Sequence, residues 1–114
     1  SKKAEYFDPC KGVWEATKAM YFTRGACLAG FIDGRIHVCG GTTKLCRIVE
    51  TFDVEREAWL SLSRAFKLSA TRAYAAAAVV GGRLYICGGQ DPDKEVVHRT
   101  VEFFEPGLAD GRPR

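Results

Sequence analysis

Residues 23–41 read TRGACLAGFIDGRIHVCGG, and residues 71–89 read TRAYAAAAVVGGRLYICGG. The two stretches align without a gap at an offset of 48 positions, and most differences exchange like for like. In each copy an apolar run leads into a two-residue turn, and a second apolar run ends at a glycine pair. The turns, Asp33-Gly34 and Gly81-Gly82, consist of residues that tolerate the positive φ of tight hairpins. Each copy is therefore predicted to be an antiparallel pair of strands.

A second pattern, aromatic residues flanked by acidic ones, occurs three times. It reads EYFD at 5–8, ETFD at 50–53 and EFFE at 102–105. Trp14 and Trp59 each lie seven positions after the second aromatic position of their copy, whereas Gly111 occupies that place in the third copy. A period near 48 residues is too long for ankyrin or tetratricopeptide units and is typical of a four-stranded propeller blade. The third unit therefore starts and then stops.

Two segments also fit an α+β alternative. Residues 73–80, AYAAAAVV, favour a helix by propensity alone, and residues 55–68 can be drawn as an amphipathic helix. The inner strands of propeller blades converge on an axis, so that their side chains must be small. Because a hairpin turn follows the alanine run directly, we expect a strand over these residues.

The spacing of these residues resembles the Kelch repeat, in which a glycine pair ends a strand and an aromatic residue and a tryptophan follow. The matching residues are Gly40, Gly41, Phe52 and Trp59 in one repeat, Gly88, Gly89 and Phe104 in the next, and Phe7 and Trp14 at the end of a preceding one. The family usually has tyrosine where this chain has phenylalanine, a change that removes a hydroxyl group but keeps the packing. The resemblance covers about residues 5–105 and is closest to the propellers of BTB–Kelch adaptors.

This resemblance implies an all-β chain, a segment of a Kelch-type β-propeller with four-stranded antiparallel blades. It divides the chain into the outer strands of a preceding blade (1–22), a complete blade (23–62), an incomplete blade (63–105) and a polar tail (106–114). The predicted strands number nine, which is not a multiple of four, and both ends supply the same third strand of a blade. Propellers need about four to eight blades. The chain is therefore expected to require the remaining blades of a longer chain, or to self-associate.

The repeated residues have predicted structural roles. The glycines at 40, 41, 88 and 89 allow tight backbone turns and the close approach of a neighbour. Trp14 and Trp59 are expected to supply apolar area between blades, and Phe7 and Phe52 are expected to be structural residues of the repeat. Arg24 and Arg72 begin the inner strands, and two roles are open for them. They either pair with a carboxylate inside the fold or point into the mouth of the channel, where they would contact a partner.

Composition excludes several classes of protein. The chain has 114 residues, a net charge of +3 and 27% charged residues, and its only adjacent basic residues are Lys2 and Lys3. Nucleic-acid binding is not indicated, because it requires a clustered basic patch. No apolar run approaches the roughly 18 residues that a membrane span needs. We therefore expect neither a nucleic-acid nor a membrane partner.

The five cysteines favour a reducing compartment. Their number is odd, and no Cys-x-x-Cys pair occurs. They are expected to be reduced and mostly buried thiols, which predicts a cytoplasmic protein. Neither histidine, His37 or His98, lies in a cluster with the spacing of metal ligands, so that no metal site is expected. No phosphate-binding loop or nucleophile elbow is present, and we expect neither a cofactor nor a catalytic activity.

Binding is expected in the loops, because loops on a rigid scaffold commonly carry function. One class of loop follows each glycine pair, and the other precedes each inner strand, at 18–23 and 63–71. By resemblance to Kelch proteins, these loops and the inner-strand arginine hold acidic or hydroxyl-bearing peptide segments. The candidate contacts are Arg24, Arg72, Thr42, Thr43, Gln90 and Asp91.

The predicted function is that of a protein-interaction module with a protein or peptide partner. Resemblance to BTB–Kelch adaptors implies substrate recognition for a cullin-type ubiquitin ligase. Two alternatives stay open at this stage, an actin-associated or cytoskeletal scaffold and a fragment of a Kelch-propeller enzyme that acts on sugars. An enzyme of that kind should carry a metal site or an acid/base pair at the mouth of the channel.

Overall fold

The structure, a computed structural model, describes residues 2–60 and 67–106 and contains eleven strands in these ranges. The strands are β1 (Glu5–Asp8), β2 (Val13–Ala16), β3 (Leu28–Ile32), β4 (Arg35–Cys39), β5 (Glu50–Asp53), β6 (Ala58–Trp59), β7 (Ala76–Val80), β8 (Arg83–Cys87), β9 (Gln90–Asp91), β10 (Val96–Val97) and β11 (Val101–Phe104). One 3₁₀ turn, Lys44–Arg47, lies between β4 and β5.

The strands form three sheets and a small ribbon, all with antiparallel pairing. The first sheet is β1-β2, the second is β3-β4-β5-β6, the third is β11-β8-β7, and the ribbon pairs β9 with β10. The prediction of an all-β chain is confirmed. The helix alternative for the alanine run is wrong, because Ala76–Val80 is a strand. Residues 61–66, within the second helix alternative, and the tail from 107 onward lie outside the described residues.

The two predicted hairpin turns join β3 to β4 and β7 to β8. The first turn has φ values of 50° at Asp33 and 79° at Gly34, and the second has 58° at Gly81 and 77° at Gly82. These left-handed values match the twist of the flanking strands, as expected for two-residue hairpins. Each turn fixes the register of the strand pair that it joins. In the second sheet, the pair next to the turn is Ile32 opposite Arg35.

The glycine pairs permit close backbone contacts that a side chain would block. A Cβ atom on Gly40 would lie 2.8 Å from the carbonyl oxygen of Arg72, and one on Gly89 would lie 2.8 Å from that of Ala73. Both glycines also have positive φ, 81° and 86°. The amide of Gly41 donates to the Arg72 carbonyl at 2.9 Å, which links the two repeats directly.

The second and third sheets pack face to face around the main core. Leu28 and Ile32 from β3 are buried together with Leu84 and Ile86 from β8. Gly30 lies on the same face of β3, between Leu28 and Ile32, at the centre of this contact. A Cβ atom on Gly30 would come within 2.6 Å of Leu84. The missing side chain allows the two sheets to approach closely.

The aromatic pairs differ in burial. Phe52 is buried, with its ring centroid 5.1 Å from that of Trp59, and the Trp59 indole N–H donates to the Lys18 carbonyl at 2.7 Å. Phe7 and Trp14 make the equivalent ring contact at 5.4 Å, but Trp14 is 66% exposed. Among the described sheets none covers Trp14, so that its packing between blades stays a prediction.

The ribbon β9-β10 was not predicted. The segment from Gly89 to Phe104 is four residues longer than the equivalent segment from Gly41 to Phe52. Sequence reasoning treated its first part as a loop, but the extra residues allow Gln90–Asp91 to pair with Val96–Val97.

The cysteines are less buried than the sequence predicted. Cys39 and Cys46 are buried, whereas Cys10, Cys27 and Cys87 are exposed, and all five are free thiols. The expectation of mostly buried thiols is therefore wrong, because only two of the five lie in the core. Burial raises the pKa of the Cys39 thiol to about 12, which keeps that thiol protonated at neutral pH.

Candidate binding site at the loop end

The long connections of the described chain meet at one end of the sheets. Because consecutive strands are antiparallel, the connections 17–27, 40–49, 67–75 and 88–100 all emerge there, and we call this the loop end. The short turns 9–12, 33–34, 54–57 and 81–82 emerge at the opposite, turn end. The amide of Tyr74 donates to the Ala26 carbonyl at 3.2 Å, so that loops from neighbouring sheets are in contact at the loop end.

Arg24 lies inside the second sheet's own loops. Its side chain is fully buried, and its Nε lies 2.9 Å from Oε2 of Glu50, which is also buried. Its terminal nitrogens donate to the carbonyls of Gly40 (3.2 Å), Cys46 (3.0 Å) and Ile48. The Arg24 guanidinium therefore holds the loop 40–49 against the segment that leads into β3.

Arg72 repeats this arrangement in the third sheet. Its Nε lies 2.8 Å from Oε2 of Glu102, and NH1 donates to the carbonyls of Gly88 (2.8 Å) and Thr100 (3.0 Å). Of the two roles left open by the sequence, these contacts favour internal pairing for both arginines. Neither side chain can reach a partner at the loop end in this structure, since the exposed fractions are 0% for Arg24 and 2% for Arg72.

The carboxylate of Glu102 has a perturbed pKa. Burial raises it, but hydrogen bonds from the Ser69 amide and hydroxyl and from Arg72 lower it, and the net pKa lies below its ordinary value of 4.5. The carboxylate therefore stays ionised and holds both the arginine and the loop 67–75.

Thr42 and Thr43 are exposed at the loop end, next to the 3₁₀ turn. The Thr43 hydroxyl lies 3.4 Å from Sγ of Cys46, and the Thr42 hydroxyl makes no described contact. Arg47, at the end of the turn, donates through Nε to the Leu68 carbonyl at 3.0 Å. This bond connects the loop 40–49 to the loop 67–75, so that Thr42 and Thr43 lie in a loop that is anchored to its neighbour.

Gln90 and Asp91 have different environments. Gln90 is exposed, and its backbone amide and carbonyl exchange hydrogen bonds with Ala73, both at 2.9 Å. Asp91 is buried, and its carboxylate accepts from the amides of Asp93 (3.1 Å) and Lys94 (3.3 Å). The Asp91 carboxylate thus stabilises the turn of the ribbon in this structure, and its role as a partner contact stays a prediction.

Exposed basic side chains collect at the loop end, which sequence reasoning missed. In the described parts of the four loop-end segments, the exposed basic residues are Lys18, Lys44, Lys67, Lys94 and Arg99, and the exposed acidic residues are Asp93 and Glu95. At the turn end the balance is reversed, with Asp33, Glu55 and Glu57 against Lys11 and Arg56. The basic residues are scattered in sequence, so that only the strand topology brings them together.

Exposed apolar groups accompany these charges. Tyr21 is 54% exposed, Leu45 is 53% exposed and Tyr74 is 72% exposed, all within the loop-end segments. Tyr74 has a φ of 58°, and Ala26 at the equivalent position of the preceding repeat has 56°. The left-handed backbone is thus a property of the repeat, and Tyr74 adds an exposed ring to it.

The described residues contain no group of three or more potential metal ligands. His37 is buried, with Nδ1 3.0 Å from the Thr51 hydroxyl and its ring against Phe104. The Nε2 atom of His98 lies 2.9 Å from the Thr71 carbonyl. Both histidines thus make structural contacts. In the described part of the chain, no helix has the length and apolar character that would let it span a bilayer.

One four-stranded sheet, two smaller antiparallel sheets, the face-to-face packing of the second and third sheets and the repeated glycine pairs have the architecture of a β-propeller segment. A family model described as the Kelch motif matches residues 71–106, which include the third sheet and the ribbon. The solved structure of YjhT, a Kelch-type propeller, is similar with a TM-score of 0.68 at 15% sequence identity. That similarity covers 84% of this chain and 39% of YjhT, so the chain spans well under half of the propeller it resembles. No curated protein matches the sequence.

Proposed function

We propose that this chain is a protein-interaction module whose loop end binds an extended, acidic segment of another protein. The observation that carries the proposal is the excess of exposed basic side chains at the loop end, opposite a turn end that is more acidic. Complementary charge steers association and sets the orientation of a bound partner. The partner is therefore expected to approach the loop end with carboxylate groups.

The remaining groups at the loop end suit a peptide. Thr42, Thr43 and Gln90 are exposed and present hydroxyl and amide groups, which bind peptide carbonyls and amides. The rings of Tyr21 and Tyr74 offer apolar contact area at low cost in conformational entropy. The buried pairs of Arg24 and Arg72 hold these loops in place instead of contacting the partner.

The resemblance to BTB–Kelch adaptors extends the proposal to substrate recognition for a cullin-type ubiquitin ligase. In that role the propeller would select the substrate, and other domains would connect it to the ligase. The cytoskeletal scaffold and the sugar-acting enzyme remain alternatives of the sequence, and no feature of the described residues favours either of them over peptide binding.

Fluorescence anisotropy with a labelled peptide of alternating glutamate and threonine tests the proposal. Charge reversals Lys44→Glu and Lys67→Glu should each weaken binding about threefold to tenfold, and added salt should weaken it further. The matched control is Arg56→Glu, an exposed residue of the turn end, which should leave the affinity unchanged. Equal weakening by all three variants, or tighter binding of a lysine–threonine peptide, would contradict binding of an acidic segment at the loop end.

A further inference from the structure

The second sheet has one covered face and one open face. The covered face packs on the third sheet. The opposite face, which we call the groove face, consists of Ala29, Phe31, Ile36, Val38 and Phe52. A cavity of about 510 Å³ separates most of this face from the first sheet and is also lined by Tyr6 and Trp59. Phe31, at one end of the groove face, is 59% exposed.

The third sheet likewise has one covered and one open face. Its covered face includes Val79, Leu84 and Phe104 against the second sheet. Its open face, which we call the outer face, carries the apolar side chains of Ala76, Ala78, Val80, Tyr85, Cys87, Val101 and Phe103, together with Arg83, whose guanidinium lies over the Phe103 ring. Val80 is 63% exposed and Phe103 is 52% exposed. The chain thus has an open, largely apolar sheet face at each end.

The repeat relates these two open faces to the two covered ones. The groove face corresponds to the covered face of the third sheet through the pairs Ala29/Ala77, Phe31/Val79, Ile36/Leu84, Val38/Ile86 and Phe52/Phe104. The outer face corresponds to the covered face of the second sheet through the pairs Ala76/Leu28, Ala78/Gly30, Val80/Ile32, Tyr85/His37 and Cys87/Cys39. The open faces are therefore counterparts of the two faces that already pack on each other within the molecule.

We propose that a second copy of this chain places its outer face on the groove face, so that copies associate head to tail. The contact continues the interface between the second and third sheets. It is heterologous, because it uses two different surfaces of the same chain. It also covers the large apolar groups that each copy otherwise leaves in water.

The first sheet determines how the incoming copy fits. By the repeat, β1 of one copy and β11 of the incoming copy occupy the same place in a blade, since EYFD corresponds to EFFE. Only one of them can pair with the incoming β8. In the described residues β1 is paired along one edge only, with β2. The incoming β8 therefore pairs with β1 in place of β11, a strand exchange that leaves the number of strand pairs unchanged.

The composite blade combines strands of both copies. The incoming β7 and β8 supply two inner strands, and β1 and β2 supply two outer strands with Phe7 and Trp14. Glu5, which is exposed, corresponds to Glu102 and takes its place beside the incoming Arg72. In the sequence Gly111 stands seven positions after Phe104, where the other two copies have tryptophan, and in the composite blade Trp14 supplies this ring.

One difference makes this contact weaker than the internal one. Gly30 allows Leu84 and Val79 to approach, whereas its counterpart Ala78 meets Ile36 and Phe31. The added methyl group must be accommodated, so that we expect association that rises with concentration rather than a permanent assembly.

Two exposed thiols allow a direct test of how the two copies are arranged in this contact. Cys27 lines the cavity at the groove face, and Cys87 lies on the outer face. The counterpart of Cys27 is Ala75, which packs against the buried cluster that includes Cys39, the counterpart of Cys87. Cys27 of one copy and Cys87 of the next are therefore expected to lie close together. A short bis-maleimide, which adds one thiol at each end without oxidation, should join Cys27 to Cys87 between copies.

The experiment combines this cross-link with light scattering of the full chain from micromolar to millimolar concentration. The average mass of the wild-type chain should rise with concentration, and mass spectrometry should identify the Cys27–Cys87 linkage between copies. Ala29→Arg blocks the groove face and Ala78→Arg blocks the outer face, so that each variant alone should stay monomeric. Mixed in equal amounts they should form a one-to-one dimer, because one free groove face and one free outer face remain. The control Ala19→Arg, in an exposed loop, should associate like the wild type.

Several results would overturn the proposal. These are a wild-type mass that stays monomeric throughout, cross-links that join only identical cysteines, and variants that do not combine when mixed. Association of Ala78→Arg alone would equally exclude a head-to-tail contact. A failure of either variant to fold would show in its thermal melt, and the wild-type cross-link then decides. Because the groove and outer faces lie apart from the loop-end charges, peptide binding and self-association succeed or fail separately.

Discussion

At the residue scale, the arginine–glutamate pairs connect each inner strand to the loops of its own sheet. Arg24 and Glu50 are both buried, and their remaining polar atoms bind backbone groups, including the amide of Tyr21 at 2.6 Å from Glu50 Oε1. A buried ion pair stabilises only where further hydrogen bonds satisfy its charges. The second sheet meets this condition fully, whereas in the third sheet Glu102 is 23% exposed.

Glu50→Gln is expected to destabilise the chain by about 3–5 kcal/mol, because it leaves the buried Arg24 guanidinium without a counter-charge. Urea unfolding followed by tryptophan fluorescence measures the change. The matched variant Glu102→Gln should cost less, since Glu102 is partly exposed and water can screen the unpaired Arg72. Equal costs for the two variants would contradict the difference in burial.

Glu102 also predicts a dependence of stability on acid pH. Its pKa in the folded chain lies below the ordinary value of 4.5, so that its ion pair contributes stability at pH values above 4.5. That contribution should be lost as the pH falls through the folded value, when the carboxylate becomes protonated. Thermal melts between neutral pH and about pH 3 should show a smaller acid loss for Glu102→Gln than for the wild type. Glu55→Gln, an exposed carboxylate of the turn end, should retain the wild-type slope.

At the element scale, the two-residue turns decide the register of each inner strand pair. Asp33-Gly34 and Gly81-Gly82 are readable in the sequence, because positive φ restricts the residue types at these positions. The alanine run was likewise readable as a strand from the turn that follows it. The sequence could not show that Asp91 turns inward or that β9 pairs with β10, since both depend on four extra residues whose path is set by the fold.

The candidate site at the loop end could likewise be predicted only in part from the sequence. Thr42, Thr43 and Gln90 follow the glycine pairs, so that their position in loops was predictable. The basic character of the loop end was not, because Lys18 and Arg99 lie at the same end of the sheets only through the antiparallel order of the strands. The burial of Arg24 was left open by the sequence, because apart from Glu50 its partners are backbone carbonyls that leave no residue-type signal.

Gly30→Ala is expected to destabilise the contact between the second and third sheets. The new Cβ would lie 2.6 Å from Leu84 Cδ1 and 2.8 Å from Val79 Cγ2, so the sheets must move apart at a cost of about 1–3 kcal/mol. Calorimetry should show a lower Tm. The control is Gly25→Ala, where no heavy atom lies within 4 Å of the added Cβ, and which should change the Tm little. A wild-type Tm for Gly30→Ala would contradict the close packing of the sheets.

At the scale of the whole molecule, stability is unevenly distributed along the chain. The central strands β4 and β8 are bonded on both sides and contribute to the main core. The first sheet is a single hairpin, and a cavity separates it from the groove face. It is held mainly at its C-terminal side, where Met20 is buried and the Lys18 carbonyl accepts from Trp59. An isolated hairpin has marginal stability in water, so we expect the first sheet to open independently of the rest.

Hydrogen exchange of the native chain at low concentration tests this difference in local stability between the sheets. Amides of β4 and β8 should exchange slowest, because their exposure requires separation of the second and third sheets. Amides of β1 and β2 should exchange fastest among the three sheets, since the hairpin opens without disturbing the core. Raising the concentration should slow exchange in β1 as a second copy pairs with its free edge, while β4 should change little. Uniform protection across the three sheets would contradict this difference, and would mean that the hairpin is as firmly packed as the blades.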